Sequence, residues 1–122
     1  MQTSNTVTVK LQLLALPEPP TAVFAASDMM AVGAIKALGD AGLRCPDDVA
    51  IVGFDDIQLA EYVSPPLTTV RQDKRGLGTA AARSLVQMIE DPAAVPPMLL
   101  LPAELVVRGS CGAAKEVRDH VI

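Results

Sequence analysis

Apolar residues fall in two alternating patterns along this chain: short continuous runs of strand length, and longer stretches with helical spacing. Ala22 to Ala26 is a short apolar run, followed by Ser27 and Asp28, either of which can cap a helix. That helix is expected to run to about Ala41, with Val32, Ile35 and Leu38 along it and Gly42 ending it. Cys45-Pro-Asp-Asp reads as a turn. Val49 to Phe54 is a second continuous apolar run, the pattern of a parallel strand covered on both faces. Asp55-Asp56 closes it. A short helix around Gln58 to Tyr62 precedes Pro65-Pro66, and Leu67 to Val70 is expected to be extended. Asp73 then caps a long helix to about Glu90, whose apolar stripe is Leu77, Ala81, Leu85, Met88 and Ile89. Pro92, Pro96 and Pro97 break it, and Met98 to Leu101 and Glu104 to Val107 read as strand segments. Val7 to Leu16 fits either a strand or the last turns of a helix, ended by Pro17, Pro19 and Pro20. The tail after Arg108-Gly-Ser is charged, short and expected to be flexible.

Strand–helix–strand–helix order predicts an α/β fold with a largely parallel sheet flanked by helices. In such sheets ligands bind beyond the carboxyl ends of the strands, where Ser27, Asp28, Asp55 and Asp56 fall.

Composition narrows the function. A length of 122 residues suits one small domain. The aromatic set is Phe24, Phe54 and Tyr62, so the core must be aliphatic. A net charge of -4 with no basic run argues against a grip on a phosphate backbone. Cys45, Cys111 and His120 are scattered, too few and too far apart to predict a zinc site, and the reading includes no metal and no cofactor. The two cysteines are expected as free thiols, although a disulfide is possible on paper. No window reaches the roughly 20 apolar residues of a membrane span. The polar start carries no export signal, so a cytoplasmic location is expected.

Three stretches carry a likeness. Pro20-Thr-Ala-Val-Phe-Ala-Ala-Ser-Asp-Met-Met-Ala-Val-Gly-Ala, Val49-Ala-Ile-Val-Gly-Phe-Asp-Asp and Pro66-Leu-Thr-Thr-Val-Arg-Gln-Asp resemble, in order, segments of the effector domain of the lactose-repressor (LacI/GalR) family, and Leu105-Val-Val-Arg-Gly-Ser resembles its last strand. The resemblance spans residues 14–110 and implies a partial periplasmic-binding-protein-like type I fold of two lobes with the effector between them. Residues 22–66 and 98–110 would belong to the C-terminal lobe and 67–95 to the N-terminal one, with 1–13 poorly matched and 111–122 a flexible tail. Periplasmic sugar-binding proteins share the Ser-Asp-Met-Met-Ala and Gly-Phe-Asp-Asp pieces. They usually lack Leu-Thr-Thr-Val-Arg-Gln and carry an export signal.

The implied function is ligand sensing in a transcription repressor, without catalysis: a small sugar-like effector, a homodimer, no membrane, and DNA contacted only through a head domain outside this chain. Asp28 and Gln72 would face the effector, while Val52 and Phe54 would lie at the subunit interface. Plainer roles compete: a helix cap for Asp28, a solvated loop position for Gln72, ordinary core for Phe54. Two other functions stay open. One is a magnesium-dependent α/β enzyme using Asp55 and Asp56, although neighbouring strand residues point to opposite sides. The other is a transport-type sugar receptor.

Overall fold

The computed structural model describes residues 12–113. The expectations for residues 1–11, for the tail beyond 113 and for His120 lie outside the described residues.

The apolar runs become strands and the periodic stretches become helices. The order is β1 (Ala22–Phe24), α1 (Asp28–Asp40), β2 (Ala50–Phe54), a 3-10 turn (Gln58–Glu61), β3 (Thr68–Gln72), α2 (Lys74–Glu90) and β4 (Ala103–Val106). The strands form one sheet in the order β1-β2-β3-β4. β1 runs parallel to β2, with Val23 opposite Ile51, and β2 parallel to β3, with Val52 opposite Thr68. This is the mostly parallel α/β arrangement read from the sequence.

Both long helices start where a side chain takes over an orphaned backbone donor. Ser27, in extended conformation, accepts from the Met30 N–H at 3.3 Å and caps α1. Asp73 accepts from the Gly76 N–H at 2.8 Å and caps α2. Just beyond α1, Gly42 takes φ +75°, a conformation that costs a glycine little. Two proline bonds, Cys45–Pro46 and Ser64–Pro65, are cis.

The chain divides into two compact units. Among the described residues, one comprises those up to Arg71 and from Leu105 onward; the other is Gln72–Glu104. In the first unit, α1 packs on β2. Ala31, Ala34 and Leu38 of α1 meet Val49, Ile51 and Leu67 in a small aliphatic core. Alternation along β2 sends Ile51 and Gly53 inward and leaves Ala50, Val52 and Phe54 half-buried on the other face. There Phe54 meets the exposed Phe24 edge to face, with ring centroids 6.4 Å apart.

The second unit is built on α2. None of its residues is buried, and Leu77, Leu85, Met88 and Ile89 lie exposed along it. Two sequence expectations change in detail. Met98 to Leu101 forms no strand: Pro96-Pro97 and Pro102 bracket it, and its side chains stay exposed. The last strand is Ala103–Val106 rather than Glu104 to Val107.

Candidate functional site

The carboxyl ends of β1 and β2 carry four polar residues in two pairs, Ser27-Asp28 and Asp55-Asp56. Their environments differ sharply.

Asp28 is fully buried. It opens α1, but the cap is Ser27, and the Asp28 carboxylate turns toward the sheet instead. One oxygen accepts from the Ile57 N–H at 2.8 Å, and the other from the Thr69 hydroxyl at 2.5 Å. It thereby ties the start of α1 to the chain after β2 and to β3. Gly53 makes room for it: a Cβ at that position would be driven into the Asp28 carboxylate. Each oxygen of Asp28, the residue expected to face the effector, thus already accepts one hydrogen bond from the protein.

Asp56 is the second anchor. Its side chain is 10% exposed and lies between two guanidinium groups, with Arg71 Nε at 2.6 Å from one oxygen and Arg108 Nη2 at 2.8 Å from the other. Burial pushes this carboxyl up, but the hydrogen bonds and charges of Arg71 and Arg108 outweigh it and hold the group below the usual carboxylate range. Arg108 is itself fixed. Its Nη1 donates to the Leu67 carbonyl at 2.9 Å, and its backbone N–H donates to the Thr68 hydroxyl at 2.8 Å. The two cations sit where the enzyme reading would require a metal at Asp56.

At the end of β2 the backbone is bent hard. Asp55 has φ +115° and Asp56 φ +50°. A non-glycine residue at +115° stores on the order of 1–3 kcal/mol and persists only where its surroundings hold it. The holding groups are the Asp55 N–H, which donates to the Val70 carbonyl at 2.9 Å, and the Asp56–arginine and Asp28–Ile57 contacts of the two residues that follow. Asp55 is partly exposed at the end of β2, and Ser27, which precedes Asp28 in the sequence, is partly exposed as well. Gln72 ends β3 and is also partly exposed.

Residues that sequence reasoning passed over complete the scaffold. Ser110, fully buried, donates its hydroxyl to the Ile51 carbonyl at 2.6 Å and accepts from the Thr68 N–H at 2.8 Å. Its carbonyl accepts from the Ile51 N–H at 2.9 Å. Thr69, Arg108 and Ser110 carry no local signal of these roles, because their partners lie 41, 40 and 59 positions away.

Residues 2–111 match the family described as the periplasmic binding protein-like domain. The ribose operon repressor of Haemophilus influenzae is 46% identical over 103 residues, covering 84% of this chain and 31% of that protein. A structure of the transcriptional regulator CelR in complex with cellobiose superposes with a TM-score of 0.80 at 40% identity, over 88% of this chain and 33% of the other. The lac repressor dimer bound to operator and an anti-inducer gives 0.75 at 37% identity, over 86% and 36%. The chain thus spans about a third of the length of the relatives it matches. Among the described residues no helix is long and apolar enough to cross a membrane. The chain belongs to the periplasmic binding protein-like domain family, in the form that LacI-family transcriptional regulators carry.

Proposed function

We propose that this chain is the ligand-sensing part of a LacI-type transcriptional regulator and takes up a small sugar-like effector at the carboxyl ends of β1 and β2. The observation that carries the reading is Asp55, a partly exposed carboxylate on a backbone at φ +115°, held by its own N–H on the Val70 carbonyl and by the anchored Asp56 and Ile57 that follow it. Strain of this kind collects at binding sites, where a side chain must be aimed before its ligand arrives. A carboxylate accepts two hydroxyl hydrogen bonds, which matches the vicinal hydroxyls of a sugar. The Ser27 hydroxyl, whose oxygen caps α1, still has a proton to give.

In this reading Asp28 supports the rim rather than touching the effector, and Asp55 and Ser27 make the contacts. Gln72 is proposed as a further contact on the resemblance alone, and Val52 and Phe54 as part of a homodimer surface on the same ground. The relatives are repressors, and this reading gives the chain no catalytic step, a cytoplasmic location, and DNA contact only through another part of a longer protein. Effector binding would favour one of two arrangements of that protein, which is how binding energy reaches a distant head.

The test is amide chemical-shift mapping of the chain with D-ribose and with cellobiose. The expected result is a saturable, localised set of shifts at Ser27, Asp55 and their neighbours with at least one sugar, lost in Asp55→Asn. Shifts that are absent at tens of millimolar sugar, or that map away from the strand ends, reject the reading.

A further inference from the structure

The two cysteines stand on segments far apart in sequence that the fold brings together. Cys45 lies in the loop between α1 and β2, and Cys111 directly follows the buried Ser110. The Cys45 thiol reaches the Ser110 carbonyl at 3.5 Å, so its sulfur lies against the peptide group that joins Ser110 to Cys111. One residue further on, a Cβ on Gly112 would stand 3.7 Å from the Pro46 Cβ, ordinary van der Waals contact. Residues 45–46 thus pack along residues 110–112. The Cys111 thiol lies over the turn, 3.9 Å from the Arg108 carbonyl. Both thiols are half-buried and reduced.

We propose that Cys45 and Cys111 are a redox pair, able to close an intramolecular disulfide by exchange with a small disulfide such as oxidised glutathione. The Cys111 thiolate attacks one glutathione sulfur, which forms the protein–glutathione bond, breaks the glutathione S–S bond and releases the first glutathione thiolate. The Cys45 thiolate then attacks the Cys111 sulfur and expels the second. Two protein thiols are oxidised, one glutathione disulfide is reduced, and the two thiol protons end on the two released glutathione molecules. Burial pushes the Cys45 thiol up, opposed by a backbone hydrogen bond at Ile51, and the neighbouring Cys111 thiol adds to the rise. Because the thiolate is the attacking species, a raised thiol is disfavoured as the first nucleophile, and Cys45 is therefore placed in the second, intramolecular step. The bond would staple the segment that carries Ser110 to the loop that enters β2, and so fix the seam between β2 and β3 covalently.

The experiment incubates the folded, reduced chain with oxidised glutathione and reads intact mass, tryptic peptides and urea unfolding. The expected product is lighter by two hydrogens. Trypsin then yields the Cys45–Arg71 peptide joined to Gly109–Lys115. The urea midpoint rises by about 1 M or more and returns on reduction, because closing a long loop restricts the unfolded chain. In Cys45→Ser the exchange stops at a glutathione adduct on Cys111. The proposal is overturned by stable glutathione adducts on both cysteines of the unsubstituted chain, by disulfide-linked dimers, by thiols that remain reduced, or by a cross-link that forms only in urea.

Discussion

Ser110→Ala removes a single oxygen from the seam between β2 and β3. The hydroxyl donates to the Ile51 carbonyl at 2.6 Å and accepts from the Thr68 N–H at 2.8 Å. Ile51 and Thr68 are each 1% exposed and Ser110 is 0% exposed, so water has no ready route to either orphaned group. A buried donor or acceptor left without a partner costs about 1–3 kcal/mol. Two such groups, with some relaxation of a site the size of a hydroxyl, give an expected loss of about 2–4 kcal/mol. Against a small-domain stability of about 5–15 kcal/mol, this is a large fraction. The assay is urea unfolding followed by far-UV circular dichroism, with Ser84→Ala on α2 as a control expected to stay within about 0.5 kcal/mol. Ser110→Thr, which keeps the hydroxyl, should recover part of the loss. A Ser110→Ala midpoint that moves no more than the control, at unchanged slope, would refute the view that these two bonds hold the seam.

Other outcomes follow from the same contacts. Thr69→Val keeps the shape but takes away the hydroxyl that donates to Asp28; the expected cost is about 1–3 kcal/mol, restored by Thr69→Ser and read by the same unfolding assay. Asp56 has a depressed folded pKa, so its contribution to stability is complete above about pH 5 and is lost as pH falls through about 3.9 toward the lower folded value. Unfolding measured from pH 6 to pH 2.5 should show a slope in that window that is smaller in Asp56→Asn; equal slopes would remove Asp56 from the account. The exposed Leu85 and Ile89 on α2 should make the chain self-associate in the micromolar range by light scattering, and Leu85→Lys with Ile89→Lys should shift it toward monomer; an unsubstituted chain that is already monomeric would contradict this.

The elements were legible because their signals are local. Asp73 sits a turn before a helical stripe, and Ser27 just after an apolar run, so caps and periodicity placed α1, α2, β2 and β3 to within a few residues. Met98 to Leu101 misled because apolar content was read without weighing its flanking prolines. The strand-end rim was legible as a place, but the division of labour within it was not. Whether Asp28 points at solvent or at the sheet depends on Thr69 and Ile57, and whether Asp56 is free for a cation depends on Arg71 and Arg108. These partners are fixed by β-strand register and by the return of the last segment, which no window of neighbouring residues encodes. The φ of Asp55 is likewise imposed by its surroundings rather than chosen by its side chain.

The two helices differ in one respect with a consequence for how the molecule breathes. α1 buries Asp28, Ala31, Ala34, Ala37 and Leu38, whereas α2, although four residues longer, buries none. A helix with no fully buried side chain draws little stability from tertiary packing, and so opens without waiting for the rest of the chain. Amide protons along α2 should therefore trade with deuterium early, through local fraying that is insensitive to urea. Those on the inner face of α1 should trade only in the rare events that unfold the sheet beside it. The chain then has two clocks, and a partner surface that covers Leu77 to Ile89 would be registered first as a slowing of the fast one.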